Sequence, residues 1–264
     1  AAVADSVTPA ISITGDCDST STASSEQRGI WTGVSGLTIS ATGGGDVLLT
    51  GTNSATHTTN PGAIYIQGAD ILASAGYVKL DGGTQGVVTS ISGGTTNLGA
   101  TSAGTATGAV TVVGDRIISA GTTTIKTSGA VVEEPSSASF ATAYNASTLN
   151  VTAGAASLRI GKSGNTSDIT VSAGTISVLG DINIYGAAIT ENASLTTTVA
   201  GNITITGSGA YSGSGALNAK GSVTVTGTSF STTGAITSAG TSGISITASS
   251  GGATIGANLN AGTA

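Results

Sequence analysis

Charge is scarce in this chain. Only 8% of its 264 residues are Asp, Glu, Lys or Arg, against about 25% in an ordinary soluble domain. The seven basic residues are scattered and the formal net charge is −6. That excludes a nucleic acid or an anionic membrane as the expected partner, because both are held by clusters of Lys and Arg. There is no methionine, and cysteine, histidine and tryptophan occur once each. Cys17 alone forms no internal disulfide, so packing must hold the framework. The single imidazole, His57, sits in a polar stretch far in sequence from Cys17. A Ser-His-Asp or Cys-His hydrolase needs its base beside the nucleophile, and one His with one Cys falls short of the usual zinc ligand set. No catalytic residue, metal ligand or cofactor is therefore expected. No apolar run approaches the roughly 18 residues of a membrane-spanning helix. Low charge together with a positive mean hydropathy also argues against disorder, which needs the opposite balance.

What the chain does have is glycine, 42 residues of it, and regularly placed Ile and Val. Three stretches repeat one pattern: Gly201-Asn-Ile-Thr-Ile-Thr-Gly207, Gly221-Ser-Val-Thr-Val-Thr-Gly227 and Gly243-Ile-Ser-Ile-Thr-Ala248. Each alternates a β-branched apolar residue with a small hydroxyl residue, as a strand does when one face is buried and the other wet. A weaker apolar pair follows each, at Ala216-Leu217, Ala235-Ile236 and Ala257 to Leu259. Copies spaced about 20 to 21 residues apart, with a short strand in each, are the mark of a solenoid. The expected fold is all-β, a parallel, right-handed β-helix with about 20–22 residues per coil and on the order of 12 coils. Glycine serves the corners, where positive φ is needed.

Residues 1–35 are the least repetitive and hold Asp16, Asp18, Glu26, Arg28 and Trp31. They are expected to form an N-terminal cap or assembly segment, with Trp31 as the capping residue, because the end of a solenoid must cover an exposed coil. The shaft is expected over 36–264, with loops leaving it near 52–61 and 132–147. The first ends in Asn60-Pro-Gly62, a turn signal. The second gathers Glu133, Glu134, Phe140 and Tyr144 in a chain poor in acids and aromatics. Insertions in solenoids often form the binding face, which makes these four residues the candidate interaction loop. The alternative is a loop folded back, with Phe140 and Tyr144 covering the apolar shaft. At the other end, Asn258, Leu259 and Asn260 precede a terminus with no charged or aromatic cap. An uncapped coil exposes strand edges that invite another chain, so these form the candidate assembly end.

Two further patterns bear on function. A polysaccharide-acting β-helix enzyme would need carboxylates gathered on one face. Asp46, Asp115 and Asp181 each follow a glycine directly before a strand, where Asp caps its own backbone, and their separation opposes a shared site. Ice-binding solenoids present outward Thr-x-Thr rows, and Thr204/Thr206, Thr224/Thr226 and Ser245/Thr247 are placed to form one. The row is broken by Asn183 and Tyr185 in the preceding coil.

The stretches Gly201-Asn-Ile-Thr-Ile-Thr-Gly207, Gly180-Asp-Ile-Asn-Ile184 with Tyr185-Gly186, and Gly215-Ala-Leu-Asn-Ala219 resemble the repeats of filamentous-haemagglutinin-type exoproteins and related bacterial surface β-helix adhesins. The likeness spans Gly36 to Ala264 and implies a right-handed β-helix, export to the cell surface, and adhesion or matrix building. The start Ala1-Ala-Val-Ala-Asp5 is that expected of an exported product after removal of a signal peptide. The function expected is thus non-enzymatic: a secreted structural or adhesive solenoid that assembles end to end. Its partners would be other copies of the chain, with host or surface glycans as a second class. The alternative is a shaft fragment of a larger adhesin; an ice-binding solenoid and a β-helix enzyme rank below both.

Overall fold

The computed structural model describes residues 9–17, 28–33, 36–54, 62–90, 94–100, 108–172 and 174–262, and every regular element among them is a strand. The chain divides into two compact units, residues 1–137 and 138–264. Each is a parallel β-solenoid whose coils carry three short strands, one on each of three faces.

In the first unit one face stacks Ile11–Cys17, Val47–Asn53, Val78–Asp81, Val110–Val113 and Ala130–Glu134. A second stacks Ile30–Thr32, Ile64–Ile66, Val87–Thr89 and Ile117–Ser119. The third stacks Thr38–Ala41, Asp70–Ala73, Thr95–Gly99 and Thr122–Lys126. The alternation that makes these segments strands also fills the interior. Val47, Val78, Val110 and Val131 lie in one register row and are all buried, as are Ile71, Leu98 and Ile125 in another. Each such side chain contributes roughly 1.5–3 kcal/mol through burial, but only because the next coil covers it.

The second unit repeats the plan. Its first face stacks Ser157–Ile160, Ile182–Gly186, Ile203–Gly207, Val223–Gly227 and Ile244–Ala248. The second stacks Tyr144–Asn145, Ile169–Val171, Ile189–Glu191, Tyr211–Gly213, Phe230–Thr232 and Ala253–Ile255. The third stacks Thr175–Val178, Ser194–Thr197, Leu217–Ala219, Ile236–Ser238 and Leu259–Ala261. Gly201, at φ 121°, turns the chain into Ile203–Gly207, and a Cβ there would collide with the Gly180 backbone one coil below.

Coil length differs between the units. In the second, Ile182 pairs with Ile203, 21 residues on, and Ile203 with Val223, 20 on. In the first, Ile11 pairs with Val47, 36 residues on, and Val47 with Val78, 31 on. The period of 20–22 therefore describes the second unit from Ile182 onward and the step from Val110 to Val131, while the earlier coils of the first unit carry the same strands with longer connections. Each unit contributes five strands to its first face, so the described residues hold about ten coils where the shorter period implied about 12.

Three boundaries shift as well. Ile11–Cys17 and Ile30–Thr32 belong to the stacked faces, so the solenoid starts before Gly36. Ile11-Ser-Ile13-Thr14 has the ordinary alternation, which its polar flanks concealed. Thr52 and Asn53 finish a strand, and Ala130–Glu134 is a strand rather than part of a loop. His57, Asn60 and Pro61 lie outside the described residues.

The stacked rows make a direct prediction. Val225 is 1% exposed, between Ile205 and Ile246 in register. Val225→Asp places an unpaired charge there, a loss of several kcal/mol. A circular-dichroism melt should lose its cooperative transition; an unchanged melt would show that this row does not face inward.

Candidate functional site

The four residues of the expected interaction loop do not form one exposed surface. Glu133 and Glu134 end a strand of the first unit, and Phe140 and Tyr144 belong to the second. Glu133 is 3% exposed because the parity set by Val131 turns it inward, in register with Val112. Phe140 and Tyr144 are also 3% exposed, with rings stacked 5.1 Å apart. What draws this segment in is Asn165, itself buried. Its Oδ1 accepts from Ser139 Oγ (2.7 Å) and the Phe140 amide (3.3 Å), while its Nδ2 donates to the Tyr185 carbonyl (2.8 Å). The alternative of a loop folded back over the shaft describes Phe140 and Tyr144 as they are found.

The aspartates that invited a catalytic reading are spread along the coils, and each clamps a neighbouring coil. Asp46 Oδ1 accepts the Tyr77 amide at 2.9 Å, Asp115 Oδ1 the Ser137 amide at 2.7 Å, and Asp181 Oδ1 the Asn202 amide at 2.7 Å. Asp168 does the same to Ala188, and Asn202 continues the series on Ser222. The expectation that these residues cap their own turn is corrected. The turn amide they satisfy lies one coil further on, because stacked corners superpose. Among the described residues no three His, Cys, Asp or Glu side chains gather as a metal site would require.

The outward hydroxyl rows are in register as expected: Thr204 with Thr224 and Ser245, and Thr206 with Thr226 and Thr247. Asn183 and Tyr185 occupy the same two rows one coil earlier.

Comparison with protein-family models, curated proteins and solved structures gives no match.

Three features of the chain's own geometry stand out. The first is the last described coil. Ile255 is 42% and Leu259 41% exposed, whereas Ile236, which pairs with Leu259 one coil earlier, is 0%. Leu259 lies on the strand Leu259–Ala261, and the Asn258 carbonyl accepts the Ile236 amide at 3.0 Å. Asn260 stands beside Thr237. The second is Trp31, which lies beside Tyr65 on a lateral face and is half exposed. It stands outward between Ile30 and Thr32, both buried, and so does not cover the coil end in the way a cap would. The Arg28 guanidinium carbon is 3.5 Å from the Tyr65 ring centroid and 5.0 Å from that of Trp31.

The third is a buried ionisable pair that the sequence reading missed. Glu191 is 0% exposed and accepts a hydrogen bond at Oε2 from the Tyr211 hydroxyl at 3.2 Å, while Oε1 has no partner. Gly213 lies opposite Glu191 in the next coil, and Gly215 is close by. A Cβ on Gly213 would collide with the Tyr211 hydroxyl and one on Gly215 with Glu191 Oε1, so the two glycines make the room the pair occupies. Burial pushes the Glu191 carboxyl up from 4.5 to about 8, the Tyr211 hydrogen bond offsetting part of the rise. Burial, and then the neighbouring Glu191 charge, raises the Tyr211 phenol above its ordinary value. The signal was present in the parity of Ile189-Thr-Glu191, which puts Glu191 on the same side as the buried Ile189.

This pair sets a pH dependence. A carboxyl raised on folding favours the protonated native state, so its contribution is complete below pH 4.5 and is lost as pH rises through about 8. The melting temperature of the protein should therefore fall between pH 5 and 8 more steeply than that of Glu191→Gln. Parallel pH profiles of the two would show that Glu191 is not buried as described.

Proposed function

We propose that this protein is a non-enzymatic, secreted structural or adhesive solenoid of the bacterial cell surface, assembling end to end into an extracellular filament or matrix. The observation that carries the reading is the in-register parallel ladder, whose rows run on through Ile244–Ala248, Ala253–Ile255 and Leu259–Ala261, with Ile255 and Leu259 in rows that hold buried side chains one coil earlier. Ile11–Cys17, an outer strand of the first unit, has the same Ile-x-Ile pattern as Ile244–Ala248, with Ile13 37% exposed. A head-to-tail contact between copies would continue the ladder with matching rows. The likeness of Gly201–Gly207 and Gly180–Gly186 to exoprotein repeats supports the surface location.

A second reading rests on the same rows: the protein is the shaft of a larger adhesin, in which further coils continue them. Electron microscopy separates the two. Ordered fibres growing with concentration support assembly, and isolated particles at every concentration support the shaft. Leu259→Lys sharpens the test. Leu259 is already partly exposed, so the variant should melt within about 1 kcal/mol of the parent, yet its charge should abolish fibres. Fibres formed equally well by the variant would overturn assembly through this end.

A further inference from the structure

The side-chain arrangement least explained by folding is the one around Arg28. The chain has few cations and a net charge of −6, so an arginine would ordinarily find a carboxylate. Among the described residues Arg28 instead lies against two aromatic rings, 3.5 Å from the centroid of Tyr65 and 5.0 Å from that of Trp31, and its buried Nε has no hydrogen-bond partner. Two outward aromatic residues adjacent in register, Trp31 on Tyr65, are themselves unusual in a chain that is 3% aromatic. Tyr65 is 8% exposed and packed, whereas Trp31 offers half its surface.

These groups have complementary chemistry. The aromatic faces hold the guanidinium in one place without neutralising it, and since a cation–π contact uses no N–H donor and Nε is buried, the two terminal nitrogens are the ones presented to a ligand. A fixed guanidinium is suited to forked recognition of a carboxylate. The exposed indole beside it is a flat apolar platform, the size of a sugar ring, on which the C–H face of a pyranose can lie. One arginine is too little charge to hold a polyphosphate backbone, which needs many. We propose that Arg28, Trp31 and Tyr65 form a binding site for a carboxylate-bearing saccharide, a uronic acid unit, with Trp31 stacking on the ring and Arg28 pairing with the carboxylate. The site deepens the adhesive half of the function proposed above and is independent of assembly, so either can fail without the other.

Trp31 is the sole tryptophan, so indole-selective fluorescence reads this site alone. The protein is titrated with trigalacturonate, with its fully methyl-esterified form, and with acetate. The acid form should give a saturable change, the ester should bind at least about tenfold more weakly for want of the charge-assisted pair, and acetate should give no saturable change. Arg28→Gln should bring the acid down to the affinity of the ester, and Trp31→Ala should abolish calorimetric binding of both. Equal binding of acid and ester, an acetate response matching that of the trisaccharide, or no saturation up to about 10 mM would overturn the proposal. Should Arg28→Gln lower the thermal melt, the acid-to-ester ratio on the unaltered protein decides.

Discussion

A coil of this protein cannot bury its own inward side chains. Three strands of three to five residues, such as Ile203–Gly207, Tyr211–Gly213 and Leu217–Ala219, enclose too little volume for that. Ile203 and Ile205 become core only when Ile182 and Ile184 lie on one side and Val223 and Val225 on the other. The parallel ladder therefore fixes both hydrogen bonding and packing, and any residue that joins one coil to the next supports both. Asp46, Asp115 and Asp181 do so through turn amides, which gives these acids a structural use at the corners of a chain that has few charges.

The same constraint explains which features could be read from sequence. The inward rows of the second unit follow from alternation alone, because from Ile182 on its strands are five residues long on one face and recur at an almost constant spacing. The all-β parallel solenoid was legible for that reason. In the first unit a strand such as Ile30–Thr32 has three residues, too few to establish a period, and its pairing partner lies 34 residues on. Coil length there depends on connections that carry no periodic signal. The interaction loop was misjudged for another reason. A segment with Phe140 and Tyr144 reads alike whether it points out or folds in, and the deciding contact comes from Asn165, 25 residues later.

Polar residues at inward positions were the hardest to see. Glu191 and Glu133 obey the parity of their strands, yet a carboxyl is expected outside because burying it is unfavourable. Glu191 is tolerated where Gly213 and Gly215 leave space and where Tyr211, stacked on Phe230 at 5.0 Å, brings a hydroxyl to it. The pair and the stack fill a stretch of core that aliphatic rows fill elsewhere.

The near-uniform coils of the second unit have a consequence for how such a chain can change. Because Ile182, Ile203, Val223 and Ile244 are equivalent positions 20 or 21 residues apart, a whole coil can be duplicated or lost while every remaining neighbour keeps its register. Losing a single residue within a strand is a different matter, since it turns the remainder of that strand inside out. Within the stacked strands length can thus change by whole coils, a coarse ruler that leaves the core as it is, while finer changes fall to the connections, as the 36- and 31-residue coils of the first unit illustrate.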